Sequence, residues 1–299
     1  MMFFCVKEKK AQAVYISISP AAKGGGANSF AYNFVKWLRP QREFRWEKNL
    51  LRADKAIIIA DKADPGMLVK ARQKGIFIIH RIDEYFESQE SDYRRKKHAA
   101  IFEINRLADI TVYQSNFVLH NAHVYLNPRK YAVIINGADC RLFYAAPCAG
   151  AYIGHVSWSY DQRKRLDIVY DLVRRYPQEK FLLIGRQHRS TFPFRDAQNV
   201  RMVGEVKREG LLRYYHQMKM LVLPAEKDPC PNTAVESILC GIPVCYNSDA
   251  GTKEIVADCG LPLEKIEDVL GGIEIYRRRC LQRDDLSFDR VARKYLSLQ

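Results

Sequence analysis

The sequence lacks the compact motifs that mark several large enzyme classes. It has no Walker A loop, no G-x-G-x-x-G fingerprint, no H-E-x-x-H, no Asp-x-Asp pair and no G-x-S-x-G. A metal-dependent or nucleophilic hydrolase therefore has little support. The eight cysteines form no C-x-x-C pair and lie mostly in apolar segments. We expect buried free thiols rather than disulfides or a zinc site.

Long apolar runs are also missing. None approaches the ~20 residues of a membrane-spanning helix, and the apolar stretch 1–6 is too short for a signal-peptide core. We therefore expect a cytoplasmic protein. Positive charge, in contrast, is in excess, with 48 Lys and Arg against 34 Asp and Glu. Such a surplus suits anionic lipid, nucleic acid or phosphorylated ligands.

The length of 299 residues predicts two domains of about 150 residues each. Predicted strands and helices alternate, which favours parallel sheets covered by helices on both faces. The pattern restarts after a small-residue stretch at 145–150. We expect one domain over 1–147, a second over 148–283, and a helix over 284–299 that could pack back across the domains. The predicted strands are 13–19, 56–60, 76–79, 110–113, 131–135, 151–154, 180–184, 200–203, 220–223 and 243–246.

Two carboxylates eight positions apart, Asp228 and Glu236, form the most informative pattern. Asp228 lies in a proline-broken loop after the buried strand 220–223, and Glu236 lies near the start of a helix that begins at Pro231 or Asn232. Open α/β sheets bind ligands at the carboxyl ends of strands, beside helix N-termini that favour anions. Sugar hydroxyls next to a phosphate would suit this arrangement.

Glycine and histidine residues lie at other predicted strand ends. Gly24, Gly25 and Gly26 separate the first strand from the first helix, where they either let a ligand approach the backbone or form a tight turn. His80 follows the third strand and either binds a substrate hydroxyl or caps a loop. His155 is the other histidine that we expect just after a strand.

A cluster of three cations, Arg163, Lys164 and Arg165, follows the loop after the first strand of the second domain. Cations are disfavoured at the start of a helix, so the cluster is unusual as a plain solvated surface. A lysine point charge and an arginine fork suit a diphosphate.

Together these residues resemble glycosyltransferase family 4, the retaining nucleotide-sugar-dependent enzymes of the GT-B fold. The acidic pair with the following Gly241-Ile-Pro-Val244 is the most specific match. The likeness spans about residues 13 to 260 and implies an α/β protein of two Rossmann-like, doubly wound parallel-sheet domains that face a cleft. The other matching segments, in order, are Gly24-Gly-Gly-Ala-Asn28, His80-Arg-Ile-Asp83, Tyr113-Gln-Ser-Asn116, Ile135-Asn-Gly-Ala-Asp139 with Phe143, Ser157-Trp-Ser159 with Lys164, and Gly251-Thr-Lys-Glu254.

The resemblance implies a role for each matching position. Glu236 would bind the ribose hydroxyls, and Asp228 would hold hydroxyls of the donor sugar. Lys164, with Arg163, would neutralise the diphosphate, and His80 would touch the transferred sugar. The rest of the implied donor site is Gly24, Gly25, Gly26, Asn232 and Thr233. No metal or other cofactor is implied, and a nucleoside-diphosphate sugar, with UDP- or GDP-sugars favoured, is the co-substrate.

The sequence departs from the family pattern at two positions. Asp228 is one methylene shorter than the usual glutamate. The arginine often found about six residues before the phosphate lysine is replaced by Trp158. Arg163 or His155 could take its place.

Two alternatives to a glycosyltransferase remain at this point. A sugar-nucleotide epimerase of the same fold would convert the donor without an acceptor. A nucleic-acid-binding module would explain the charge, but the chain has no helix-turn-helix, zinc or ribonucleoprotein signature. For a transferase, the acceptor could be a glycan or a lipid-linked molecule on an anionic membrane, docked through the basic run of a predicted helix, which comprises Arg94, Arg95, Lys96 and Lys97.

Overall fold

The computed structural model describes residues 10–20, 25–86, 91–159, 161–186 and 192–299. It contains two six-stranded sheets in which every neighbouring pair of strands is parallel. The strands are β1 Gln12–Ile16, β2 Phe44–Glu47, β3 Lys55–Ile59, β4 Phe77–Ile82, β5 Ile110–Tyr113, β6 Tyr131–Val133, β7 Tyr152–Ser157, β8 Lys180–Gly185, β9 Val200–Gly204, β10 Met218–Leu223, β11 Val244–Tyr246 and β12 Gly260–Pro262.

The strand orders are β2-β1-β3-β4-β5-β6 in the first sheet and β12-β11-β10-β7-β8-β9 in the second. Helices cover both sheets: α1 Gly26–Leu38, α2 Pro65–Gln73, α3 Asp92–Arg106, α4 Asn116–Leu126, α5 Leu166–Arg175, α6 Leu212–Tyr215, α7 Asn232–Leu239, α8 Thr252–Val256, α9 Ile266–Gly271, α10 Ile273–Cys280 and α11 Phe288–Ser297. Within the described ranges, no helix has both the length and the apolar composition needed to cross a membrane.

All ten predicted strands are present, although several of their ends differ. β4 runs on to Ile82 and β7 to Ser157, so His80 and His155 lie inside strands rather than after them. The structure adds β2 and β12, two strands at the sheet edges. β2 carries two charged residues and β12 is three residues long, so neither has the buried apolar run that identifies a central strand.

Helix α11 packs on the first sheet's side of the molecule, far from its neighbours in sequence. Phe288 lies edge-on to Phe34 of α1 at 5.8 Å between ring centroids, and Tyr295 lies 5.2 Å from Phe30. The buried Lys55 Nζ donates to the carbonyl oxygen of Leu298 at 2.6 Å. A cation at this position satisfies carbonyl groups that a helix C-terminus leaves without partners.

The two domains also touch along the cleft. Glu254 of α8 accepts hydrogen bonds from the backbone N–H groups of Asn116 and Phe117, both at 2.7 Å, and so caps the N-terminus of α4. Ser115 Oγ donates to the carbonyl oxygen of Pro229 at 2.8 Å. The loop that carries Asp228 is therefore held by the opposite domain.

Candidate functional site

The candidate site is organised around the N-terminus of α7, and the predicted order of strand, loop and helix is present here. β10 ends at Leu223, and α7 begins at Asn232 after Pro231, which has no side chain that could accept from the first-turn N–H groups. These N–H groups are available to an anion. Gly241, with φ of +72°, follows the helix and turns the chain toward β11.

Glu236 occupies the second turn of α7 and is buried. Its carboxylate accepts a hydrogen bond from Tyr215 Oη at 3.0 Å and lies 3.8 Å from a guanidinium nitrogen of Arg208. Burial raises the pKa of Glu236, although Arg208 and Tyr215 act in the opposite direction. A carboxylate in such surroundings gains from hydroxyl donors supplied by a ligand.

Asp228 and Lys164 form an ion pair with 2.7 Å between Nζ and Oδ2. Asp228 lies in the loop before α7, and Lys164 lies in the loop after β7, so the pair joins the carboxyl ends of two neighbouring strands. The side chains retain 15% and 31% of their exposure, so both groups remain open to the cleft.

A cavity of about 490 Å³ brings most of the predicted residues together. Gly25 and Gly26 at the start of α1 form one side, and the second domain supplies the other with Lys164, Asp228, Asn232, Thr233 and Glu236. Gly24 lies outside the described residues. The volume and the mixture of apolar walls with a few charged groups are typical of a small-molecule site.

A second cavity of about 330 Å³ adjoins the first and shares Gly26, Lys164 and Asp228 with it. Arg163 lines the second cavity but not the first. Its guanidinium pairs with the carboxylate of Asp161 at 3.3 Å. Polar groups of the first domain complete the wall, namely Arg81, Asp83, Glu84, Gln114 and Asn136.

The structure corrects the placement expected for His80. Its side chain is fully buried, with Nε2 2.9 Å from the carbonyl oxygen of Ala60 and Nδ1 2.9 Å from the amide of Asn105 in α3. Burial lowers its pKa to about 4. Because side chains alternate along a strand, the cleft receives the next residue, Arg81, instead.

Arg81 is fully buried and occupies the position near the cleft that was expected for His80. Its guanidinium donates to Asn136 Oδ1 at 3.0 Å, pairs with Asp83 at 3.1 Å and lies 4.2 Å from the ring centre of Phe30. Asn136 in turn donates to the carbonyl oxygen of Cys230, next to α7. The first domain thereby contacts the loop that leads into α7.

Arg208 is a cavity residue that the sequence did not single out. It follows β9, reaches across the cleft and donates to Ser29 Oγ and, at 3.4 Å, to Asn33 Oδ1, both on α1. The only sequence signal is a basic residue shortly after a strand's carboxyl end, which is too common to identify a site.

Comparisons with known proteins agree with this architecture. Residues 150–269 match the family model described as Glycosyl transferases group 1. No curated protein gives a significant match to the sequence.

Several solved structures superpose on nearly the whole chain. Sucrose-phosphate synthase from Thermosynechococcus elongatus has a TM-score of 0.70 at 15% identity, with 96% of this chain and 97% of that chain covered. Anabaena HepE, solved in complex with UDP-glucose, has a TM-score of 0.66 at 17% identity, with coverage of 96% and 100%. A glycosyltransferase from Rickettsia africae has a TM-score of 0.68 at 14% identity, with coverage of 97% of each chain.

At such low identities, the structural likeness establishes the fold. The two parallel sheets and the superposition on these structures confirm the predicted GT-B architecture. The family match, which indicates a transferase, lies in the second domain. The chain therefore has the GT-B fold, and its residues 150–269 match the family of group 1 glycosyl transferases.

Proposed function

We propose that the protein is a retaining, metal-independent enzyme of glycosyltransferase family 4. It moves a sugar from a nucleoside-diphosphate sugar, with UDP- or GDP-sugars favoured, to a hydroxyl group of a glycan or lipid-linked acceptor. One observation carries this proposal: Lys164, Asp228 and Glu236 line a single cavity that also contains the start of α7 and of α1.

The large cavity would hold the donor. Glu236, buried beside Tyr215, would accept hydrogen bonds from the ribose hydroxyls. Lys164 and the first-turn N–H groups of α7 would face the diphosphate, and Asp228 would face hydroxyls of the sugar. Asn232, Thr233, Gly25 and Gly26 line the same cavity and would contact the donor between these groups.

Breaking the anomeric bond leaves negative charge on the diphosphate. Fixed cations and N–H dipoles stabilise this charge as it develops, because they need no reorganisation at the moment of reaction. The acceptor hydroxyl would attack from the side of the leaving group, with a phosphate oxygen taking its proton. Lys164 is paired with Asp228 in the structure. After donor binding, the Lys164 ammonium would interact with both the Asp228 carboxylate and a phosphate of the donor.

The second cavity favours sugar transfer over epimerisation. An epimerase needs room for the nucleotide sugar alone, whereas a transferase needs a neighbouring space for an acceptor. The second cavity adjoins the first at Lys164 and Asp228 and is lined by carboxylates, amides and cations of the first domain. Such groups suit the hydroxyls of a sugar or another polar acceptor.

Activity measurements on two lysine variants test the proposal. Lys164→Met should lower kcat by about 10²-fold or more, as expected when one charge-stabilising group is lost. Lys219→Met is the matched control, because Lys219 pairs with Glu179 at 2.6 Å outside both cavities. EDTA should leave turnover unchanged, and NMR should show retention at the anomeric carbon. Unchanged turnover in Lys164→Met would refute the assignment, and donor conversion without an acceptor would favour the epimerase.

The proposed function also includes peripheral contact with an anionic membrane through α3. Lys96 on α3 is exposed, whereas Arg95 pairs with Asp92 and Lys97 pairs with Glu84. Arg94 belongs to the same first turns of α3. Binding to phosphatidylserine vesicles, with none to phosphatidylcholine vesicles, and its loss in Arg94→Gln/Lys96→Gln would support docking here. Equal binding to both vesicles, or binding to neither, would exclude it.

A further inference from the structure

The ring of His155 has a fixed orientation in the second sheet. It lies in β7 with 3% of its surface exposed, and its Nδ1 is 2.9 Å from the carbonyl oxygen of Val222 in the neighbouring strand β10. A carbonyl oxygen can only accept a hydrogen bond. Nδ1 must therefore carry the proton that it donates to Val222.

The other ring nitrogen faces a different environment. Nε2 is buried and has no hydrogen-bond partner within the described ranges, while the residue lines the cavity of about 490 Å³. A neutral imidazole with its proton on Nδ1 presents a lone pair at Nε2. Buried polar atoms are nearly always paired in folded proteins, so an unpaired acceptor on a residue that lines a cavity points to a donor on the ligand. Nε2 is enclosed in the structure, so a ligand hydroxyl would reach it after a small shift of the surrounding side chains.

The ring stays neutral near pH 7 in this position. Burial lowers the pKa of His155 to about 4, and the charge of Lys164 acts in the same direction. The hydrogen bond to the Val222 carbonyl acts in the opposite direction but is the smaller effect. The charged groups that share the cavity with His155 are Lys164, Glu205, Lys207, Arg208, Asp228 and Glu236.

We propose that His155 Nε2 accepts a hydrogen bond from a hydroxyl group of the bound nucleotide sugar and thereby helps to select the donor. This inference rests on the proposed function. A phosphate oxygen is itself an acceptor and would meet the Nε2 lone pair without a proton between them. His155 is therefore a specificity residue for a hydroxyl and does not replace the phosphate-binding arginine that this chain lacks.

Two substitutions separate the ligand contact from the structural one. His155→Asn keeps an N–H group that can reach the Val222 carbonyl but has no acceptor at the Nε2 position. His155→Gln is longer and can return a carboxamide oxygen to that position. Affinity for UDP-, GDP- and ADP-glucose is first measured with wild-type protein, and the donor that binds is used for both variants.

We expect His155→Asn to weaken donor binding about 10- to 100-fold and His155→Gln to recover part of the loss. Analogues of the donor that lack one hydroxyl, on the ribose or on the glucose, identify the contact. One of these analogues should bind wild type and His155→Asn with equal affinity, because it lacks the hydroxyl that donates the hydrogen bond to His155. If every analogue still distinguishes the two proteins, the inference is wrong.

Calorimetry in buffers of different ionisation enthalpy gives a second, independent test. Donor binding with no proton uptake at pH 7 supports the neutral ring. If the wild-type protein takes up a proton on donor binding and His155→Asn does not, then His155 is cationic and pairs with the phosphate. That result would overturn the inference. If none of the three donors binds wild-type protein, the proposed function fails as well, which distinguishes that result from a failure at His155 alone.

Discussion

Replacing Arg208 with methionine tests how the cleft tolerates the buried charge of Glu236. Arg208 keeps 12% of its side-chain exposure and Glu236 keeps 5%, with 3.8 Å between nitrogen and oxygen. At an effective dielectric constant of about 20, this separation corresponds to an attraction of about 4 kcal/mol. Removing one partner of a buried pair costs about 3–5 kcal/mol, because the other charge is left uncompensated. We expect Arg208→Met to lose about 3 kcal/mol of stability at pH 8.

The loss should depend on pH in a defined direction. Burial already raises the pKa of Glu236 above the value of 4.5 for a free side chain, so the folded state binds more protons than the unfolded state just above that pH. The free energy of unfolding then falls as the pH rises through the folded-state pKa. Without Arg208 this pKa rises further. The destabilisation should therefore be small near pH 5 and grow toward pH 8.

Thermal unfolding at several pH values provides the assay. Glu236→Gln removes the charge, so the double variant with Arg208→Met should recover most of the stability, with a coupling energy of about 2 kcal/mol. Arg201→Met is the control, because Arg201 is exposed and donates to Gln217. Equal losses for Arg208→Met at pH 5 and pH 8, with no recovery in the double variant, would refute the reasoning.

Three further substitutions probe the contacts that join distant parts of the chain. Glu254→Ala removes the cap at the N-terminus of α4 and should cost about 1–2 kcal/mol, measured as a lower melting temperature, with Glu254→Gln losing less. Lys55→Met leaves carbonyl groups at the end of α11 without a donor, so amide exchange there should accelerate about tenfold; unchanged protection would contradict this role. Asn136→Ala removes the hydrogen bond to the carbonyl of Cys230, so the loop before α7 should shift and kcat should fall about tenfold. Unchanged kinetics would show that the loop keeps its position without this hydrogen bond.

The buried strands and the α7 region were predictable because their signals are local. An apolar run such as that of β10, followed by a proline-containing loop and a helix that ends before Gly241, defines strand, loop and helix within about twenty residues. Asp228, Lys164 and Glu236 each stand at such a junction, and strand order then brings the junctions to one edge of the sheet. Their meeting in one cavity follows from this topology.

The remaining site residues depend on geometry that the sequence does not display. A difference of a few residues at the end of β4 decides whether His80 or Arg81 faces the cleft, since alternate residues point to opposite faces. Arg208 is recognisable only from the approach of α1, which belongs to the other domain. The role proposed for His155 depends on which ring nitrogen donates to the Val222 carbonyl, and no sequence pattern predicts that hydrogen bond.

The position of α11 has a consequence for how this protein folds while it is being synthesised. Side chains that complete the apolar interior of the first sheet, including Phe288 and Tyr295, are translated about 155 residues after β6 closes that sheet. At about 5–20 residues per second, the delay is on the order of ten seconds or more. During that interval the nascent first domain carries an open apolar face against α1. That face can be buried by Phe288 and Tyr295 only after α11 has been translated.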